Sequence, residues 1–402
     1  MRPFDGRRVL LGVTGGIAAY KSATLARELT LAGAEVDVVL TRSAKEFVGA
    51  VTFEALTGRP VHEQLVAAGH ALDHIRLPRQ ANLIVVAPAT ADFIARAVAG
   101  RADDLLAASL LAAGDVPVLI VPAMNDRMWA HVQVRANVAR LREFGYHVIE
   151  PDSGPLASRE EGSGPGRMPE PAAIRAHIAR LLEPASALTG RHIVVSAGPT
   201  REALDPVRYL SNHSTGKMGV ALAEAAWRRG ASVTLVAGPL AVAPPVGPTL
   251  VPVESTEEMA AAVRAALSTA DALIMAAAPA DFRAKGVAAQ KLKKGEAAPS
   301  IALDFTVDIL QTTRDARRPG CVVIGFALET ERLEAGARAK LLKKDLDLVV
   351  ANQVEEGAGF GTDTNRVTIL SRDGESEALP LQAKSAVADA ILDRVAGLLD
   401  GR

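Results

Sequence analysis

Val9-Leu10-Leu11-Gly12-Val13-Thr14-Gly15-Gly16-Ile17-Ala18-Ala19-Tyr20-Lys21 passes from an unbroken apolar run through a glycine turn into an alanine-rich stretch. A strand buried on both faces of a parallel sheet has such a continuous apolar sequence, so Val9 to Val13 is predicted as a strand and Thr14-Gly15-Gly16 as its turn. Ile17 to Leu31 then reads as a helix ended by Gly33, and Val36 to Leu40 as the next strand. The same pattern predicts strands at Leu83 to Ala87, Val118 to Val121 and His147 to Ile149. Short β-rich runs alternating with Ala- and Leu-rich stretches define an α/β, doubly wound fold.

Pro151 to Pro171 is rich in Gly, Pro and Ser, which predicts a functional loop rather than a core element. Glu183-Pro184-Ala185-Ser186-Ala187 reads as a linker, because a strand restarts at His192 to Ala197 with Gly198-Pro199-Thr200 as its turn. The expected domains are therefore 1–187 and 188–402, both doubly wound. In the second, strands are predicted near Val233 to Val236, Leu250 to Val253, Leu273 to Ala277, Val322 to Phe326 and Leu348 to Val350, then a hairpin and a helix. Ser255 with Glu258 forms a capping-box signature before a helix over Met259 to Leu267.

The chain has 402 residues, too many for one ordinary core. Its 45 basic and 46 acidic residues give no global attraction to nucleic acid or an anionic membrane, so anionic ligands must be held by local clusters. The single cysteine, Cys321, lies in an apolar run and reads as a core thiol. No uninterrupted run of about 18 apolar residues and no leader-like segment is seen, so a cytoplasmic protein that neither enters nor crosses a membrane is expected.

A glycine turn between a buried strand and a helix exposes backbone N–H groups at the positive end of the helix dipole. Gly12 to Gly16 has that place but lacks GxGxxG spacing, and alone it fits a phosphate site or a tight turn equally well. Ala87-Pro88-Ala89-Thr90-Ala91-Asp92 and Val121-Pro122-Ala123-Met124-Asn125 also follow predicted strands, and Thr41-Arg42-Ser43 closes the second strand. Together these loops offer hydroxyls, amides and an amide side chain on one sheet edge, as a flavin mononucleotide requires.

Gly15 to Lys21, Pro88 to Asp92, Gly100-Arg101-Ala102-Asp103-Asp104-Leu105 and Pro122 to Asn125, in this order, resemble the homo-oligomeric flavin-containing cysteine decarboxylases. The resemblance implies a flavodoxin-like flavoprotein that holds FMN through Gly15, Gly16, Ile17, Thr41, Ser43, Pro88, Ala89 and Thr90. In that family the flavin oxidises the substrate thiol to a thioaldehyde, which serves as the electron sink for decarboxylation, and the resulting enethiol is then reduced. His74 in Asp73-His74-Ile75-Arg76-Leu77 matches the family's active-site histidine, whereas by residue type alone it is a surface histidine at a helix end. Asn125 matches the residue that clamps the substrate carboxylate. The family's reducing-step cysteine is replaced by Ser158 in Gly154-Pro155-Leu156-Ala157-Ser158-Arg159. A hydroxyl is a far weaker acid than a thiol, so Ser158 relays a proton from water, another group donates, or the pathway stalls at the enethiol. The flap's other marks, Gly164-Pro165-Gly166-Arg167-Met168, are intact.

In the second half, Gly216-Lys217 is not a P-loop, because Ser211 stands where the earlier glycine belongs and Met218 follows the lysine. Ser196 to Glu202, Asp205 to Gly219, Ala278 to Phe282, Lys291 to Lys294 and Gly325 to Thr330 instead resemble the AGPTxE, DPVRYxSNxSxGKMG, AAxADF, KxKK and GFAxET signatures of 4′-phosphopantothenate–cysteine ligase. The resemblance implies a Rossmann-like domain in which CTP with magnesium converts 4′-phosphopantothenate into an acyl cytidylate that L-cysteine then attacks. It assigns Lys291, Lys340 and Lys344 to the triphosphate, and Asp281 and Phe326 to the cytidine. Backbone groups of Met275, Ala276 and Ala277 and of Val307, Asp308, Ile309 and Leu310 complete the pocket, and Asn212 contacts the acyl cytidylate. Lys291 lies in the charged segment Gln290 to Gly295, which is expected to close over the nucleotide. Both halves together resemble the bifunctional coenzyme A biosynthesis family, whose members form homo-oligomers, dodecamers through the flavin domain, with flavin sites at subunit contacts. The alternative is an active ligase fused to a flavin domain whose decarboxylation is lost or altered because of Ser158.

Overall fold

The computed structural model describes residues 3–66, 68–293, 300–329, 333–353 and 361–402, with the side chains of 159, 328, 329, 333–335 and 353 left aside. Lys294, Gly295 and Thr330 of the quoted motifs lie outside the described residues. The chain divides into two compact units, Met1–Pro184 and Ala185–Arg402.

In the first unit the strands β1 (Arg8–Val13), β2 (Glu35–Leu40), β3 (Val61–His62), β4 (Leu83–Ala89), β5 (Val118–Pro122) and β6 (His147–Val148) form one parallel sheet in the order β3-β2-β1-β4-β5-β6. Alternate residues of β1 serve opposite cores. Val9, Leu11 and Val13 pack with Leu25 and Leu29 of helix Ala19–Leu31 and with Ile174 and Ile178 of helix Pro171–Leu182. Leu10 joins Ile84, Phe93, Leu106 and Val138 on the other face. Both faces are covered, which is why β1, β4 and β5 carry no polar alternation. The doubly wound class expected from sequence is present, and its strand order is the 3-2-1-4-5-6 of dinucleotide-binding sheets rather than the 2-1-3-4-5 of flavodoxin.

The segment read as an irregular loop contains an antiparallel hairpin, β7 (Asp152–Pro155) with β8 (Ser163–Arg167). It docks through glycine: a Cβ on Gly166 would lie 2.2 Å from the Met124 carbonyl oxygen, and one on Gly164 would lie 2.8 Å from Asp126 Cβ. Glycine content suggested a loop, but here it serves close approach between two backbones.

The second unit repeats the winding with β9 (His192–Ala197), the hairpin β10 (Arg201–Ala203) and β11 (Tyr209–Ser211), then β12 (Ser232–Ala237), β13 (Thr249–Pro252), β14 (Ala272–Met275), the hairpin β15 (Phe282–Ala284) and β16 (Leu303–Phe305), β17 (Val322–Glu329), β18 (Leu348–Gln353), β19 (Thr364–Asn365), β20 (Val367–Ser371), β21 (Ser376–Ala378) and β22 (Gln382–Ala383). Its main sheet runs β13-β12-β9-β14-β17-β18-β20-β21, parallel as far as β18 and antiparallel beyond it. Helix Thr256–Leu267 starts on the expected capping box, with Ser255 accepting from the Glu258 amide and the Glu258 side chain from the Ser255 amide. Helix Lys217–Arg228 packs so close to β9 that a Cβ on Gly219 would sit 2.5 Å from Ala197 Cβ. Among the described residues no helix is long and apolar enough to cross a membrane.

Candidate functional site

In each main sheet the winding reverses beside the first strand, between β1 and β4 and between β9 and β14. Loops leaving the two strands at such a point diverge and open a crevice.

In the first unit that crevice is a cleft of about 620 Å³, lined among others by Gly15, Gly16, Ile17, Pro88, Thr90 and Asn125. Thr14 ties its two main loops together: the buried hydroxyl donates to the Pro88 carbonyl at 2.8 Å and accepts from the Thr90 amide at 3.1 Å. Gly15 lies against Ser43, where a Cβ would meet the serine backbone at 2.7 Å, so only glycine lets the loop pass. The buried Thr41 hydroxyl donates to the Val13 carbonyl at 3.3 Å, and Thr41 lines a separate, smaller cleft with Arg42 and Asp104. Ala89 is buried and is not among the lining residues. Asn125 donates to Glu161 at 3.1 Å across the cleft and caps helix Asp126–Ala130 by accepting from the Arg127 amide at 3.0 Å.

The hairpin supplies Pro155, Leu156, Ala157, Gly166 and Arg167 to the same cleft. Lys21, almost buried, donates to the Met168 carbonyl at 2.8 Å and to Glu170 at 3.0 Å. The Lys21 hydrogen bond, outweighing partial burial and aided by Arg167, holds the Glu170 carboxyl below the usual carboxylate range. Lys21 was legible only as part of a motif, since its partners lie far along the chain.

Of the expected residues, Thr41, Ser43 and Ala89 are not in the lining of this cleft, and Ser158 and His74 also stand apart from it. Ser158 is exposed at the hairpin turn and is absent from the cleft lining. His74 lies in the first turn of helix Asp73–Gln80, half-buried, with a Nδ1 that is buried and has no hydrogen-bond partner. Beside it, Asp73 Oδ2 is approached by Nδ1 of His62 at 3.0 Å and of His70 at 2.9 Å, and Arg76 donates to Oδ1 at 2.8 Å. Burial pushes the Asp73 carboxyl up, but the His70 and Arg76 hydrogen bonds outweigh it and the net displacement is downward. Among the described residues this is the cluster whose His and carboxylate atoms converge within 4.8 Å. The spacings are those of hydrogen bonds and Arg76 already neutralises the carboxylate, so the cluster fixes the helix start that carries His74.

The second crevice is a cleft of about 870 Å³. Its walls include Met275, Ala276, Ala277, Asp281, Val307, Asp308, Ile309, Leu310, Phe326, Lys340 and Lys344, together with Asn212. Lys344 pairs with Asp308 at 3.0 Å, and Lys340 donates to the Phe326 carbonyl. Asn212 Nδ2 donates to the carbonyls of Ala278 at 3.1 Å and Pro279 at 3.0 Å, so both its amide hydrogens are engaged. Lys291 is exposed and is not among the lining residues.

Beneath the Ala278–Asp281 loop lies a buried polar network. The Thr200 hydroxyl accepts from the Ala280 amide at 2.9 Å and shares a 2.8 Å hydrogen bond with Thr256, whose amide and hydroxyl both donate to Glu202 at 2.8 Å. Thr200 and Glu202 of the AGPTxE motif therefore shape the loop from below. Three further lining residues, Asn352, Asn365 and Lys384, were not singled out from sequence, and Lys217 was legible only as part of its motif. Lys217 donates to Asp363 at 2.7 Å and Lys384 to the Thr362 carbonyl; burial and then nearby Lys217 push the Lys384 ammonium below the ordinary lysine range. Lys384 belongs to the last helix, 168 residues after Gly216, and no local pattern announces such a contact.

Residues 2–183 match the Flavoprotein family and residues 188–399 the DNA/pantothenate metabolism flavoprotein C-terminal domain. The chain is 47% identical over 408 residues to the coenzyme A biosynthesis bifunctional protein CoaBC of Mycolicibacterium smegmatis, covering 98% of each, and 44% identical over 404 residues to that of Vibrio vulnificus, covering 99% of this chain and 100% of the other. A crystal structure of a C-terminal domain of CoaBC is 41% identical, covering 54% of this chain and all of that one, with a TM-score of 0.47. The chain belongs to the CoaBC family of bifunctional coenzyme A biosynthesis enzymes, which join a phosphopantothenoylcysteine decarboxylase to a phosphopantothenate–cysteine ligase.

Proposed function

We propose that residues 188–402 ligate 4′-phosphopantothenate to L-cysteine with CTP, and that residues 1–187 decarboxylate the product to 4′-phosphopantetheine with FMN. The ligase begins when a carboxylate oxygen of 4′-phosphopantothenate attacks the α-phosphorus of CTP and pyrophosphate leaves. The cysteine amine then attacks the acyl carbon, loses a proton and expels CMP. Lys340 and Lys344 neutralise the triphosphate, with Lys344 exchanging Asp308 for a phosphate oxygen, and Lys291 adds a further positive charge. Magnesium accompanies the triphosphate, and Asp281 and Asp308 are carboxylates of the same cleft. Asp281, Phe326 and the backbone of 275–277 and 307–310 hold the cytidine. Asn212 donates to the acyl cytidylate in exchange for the two carbonyls it now binds.

The observation that carries this reading is the convergence of Asn212, Asp281, Asp308, Phe326, Lys340 and Lys344, drawn from distant parts of the chain, on one cleft at a sheet switch point.

For the decarboxylase, the close passage of Gly15 over Ser43 and the loops joined by Thr14 fit a flavin phosphate held by backbone amides. FMN, when bound, supplies the oxidising power for the substrate thiol. Asn125 orients the substrate carboxylate and the hairpin excludes water. His74 takes the thiol proton in a cleft other than its own chain's, which requires a second copy. Ile17 and Tyr20, 62% and 59% exposed beside the cleft, are apolar surface suited to such a contact.

The position of Ser158, exposed and outside the lining, favours a second reading in which the ligase works and the final reduction is altered. Incubation of the full chain with 4′-phosphopantothenate, cysteine, CTP, magnesium and FMN, followed by mass spectrometry, separates the two. Phosphopantetheine supports the first reading and accumulating enethiol the second; unchanged 4′-phosphopantothenate refutes both. In the same assay Lys344→Ala should raise the KM for CTP at least tenfold.

A further inference from the structure

We infer that Asp205 and Arg208 form a clamp that positions Lys291 for the ligase reaction, making Asp205 a positioning residue. The inference rests on the reading of Lys291 as a triphosphate contact.

The clamp acts on the residue next to Lys291. Asp205 Oδ2 accepts from the Leu292 amide at 3.1 Å, and Arg208 donates to the Leu292 carbonyl at 2.5 Å. Asp205 and Arg208 are themselves joined by a two-pronged ion pair, at 3.0 and 2.7 Å. Asp205 Oδ1 accepts from the amides of Val207 at 2.8 Å and Arg208 at 2.9 Å. The carboxylate is 0% exposed and meets five donors, so its place is fixed from several sides. A peptide unit is planar, and the Leu292 N–H lies in the plane that contains the Lys291 Cα and carbonyl. Holding that N–H therefore fixes the position of the Lys291 Cα, the point from which its side chain departs.

The other end of the clamp leads to the cleft. Asp205 and Arg208 lie in the turn of the hairpin formed by β10 and β11, and Asn212 follows β11 directly. The Ala288 amide also donates to the Leu204 carbonyl at 3.0 Å, so the segment before Lys291 is tied to the same turn. One buried carboxylate thus links the strand that presents Asn212 to the backbone that presents Lys291. A lysine side chain has four rotatable carbons and is a mobile point charge, so its contribution depends on where its backbone is held. The sequence signature contains both clamp residues, but it does not reveal that their partner is a backbone 84 residues away.

Asp205→Asn is the discriminating variant. Asparagine keeps an oxygen for the Val207 and Arg208 amides, but its NH2 group faces the Leu292 N–H donor and cannot accept from it. Pyrophosphate release from CTP, magnesium and 4′-phosphopantothenate is measured for the full chain, for Asp205→Asn, for Lys291→Ala and for the double variant. The expected result is a loss of tenfold or more in kcat for each single variant, and a double variant within twofold of Lys291→Ala, because residues acting through one another are not additive. Leu292→Pro removes the N–H while leaving the Asp205–Arg208 pair, and it should show the same loss even if Asp205→Asn folds poorly. A native rate in Lys291→Ala defeats the reading on which the inference rests. A clear loss in Lys291→Ala, with Asp205→Asn and Leu292→Pro both near native or multiplying with it, overturns the clamp.

Discussion

Replacing Thr14 by valine tests whether the loops of the first crevice are held as a unit before any ligand arrives. Valine matches threonine in shape and removes only the hydroxyl. That hydroxyl is the sole feature separating the variants, and it sits in a site 2% exposed to solvent. Its removal deletes the hydrogen bond to Pro88 and strands the Thr90 amide, while the Pro88 carbonyl retains the Thr14 amide at 3.4 Å. A lost hydrogen bond is worth about 1 kcal/mol, and because Thr90 is half-buried and lines the cleft its stranded amide adds only the low end of about 1–3 kcal/mol, giving roughly 2 kcal/mol together. For a unit of this size each kcal/mol moves the melting temperature by about 2–4 °C, so the first unit should melt about 4–8 °C lower. The assay is a thermal melt of the flavin-loaded full chain followed by flavin fluorescence, with FMN affinity measured by titration on the same sample. FMN should also bind at least tenfold more weakly, because its loops are no longer joined. A Thr14→Val protein that melts within about 1 °C of native and holds FMN equally well would refute the reasoning.

Three further outcomes are expected. Burial pushes the Cys321 thiol up to about 11, with Arg317 only partly opposing it, so the native protein should resist thiol reagents near neutral pH and react fully once unfolded; rapid labelling of folded protein contradicts this. Because the folded value lies above the unfolded one, the stabilisation is intact below the unfolded value and fades as pH rises toward 11, which a series of melts between pH 8 and 11 can follow. Ser158→Cys should speed the last step of decarboxylation and lower any enethiol seen by mass; an unchanged enethiol fraction would mean that residue 158 does not supply the proton.

Much of this protein follows from its sequence alone, because burial on both faces of a sheet imposes a local and readable pattern. Val9 to Val13 and Leu83 to Ala87 are unbroken apolar runs, His192 to Ala197 has an apolar centre at Ile193 to Val195, and each forms a central strand. Capping is equally local, and Ser255 with Glu258 behaves as its spacing predicts. The hairpin within 151–171 was misread because glycine carries two meanings, freedom in a loop and close approach in a docked strand. Only contacts across the sheet distinguish them.

The sites divide along the same line. Loops following parallel strands must emerge at one edge, so Gly15, Thr90 and Asn125 in one unit, and Met275 and Phe326 in the other, were legible as neighbours. Strand order and side-chain direction were not, since they depend on how distant segments pack. Tertiary structure alone put Lys384 and Asn365 in the second cleft and left His74 and Ser158 outside the first. It also joined Asp205 to the backbone of Leu292. A sequence fixes what each segment can bury and bend, whereas long-range packing chooses which segments meet.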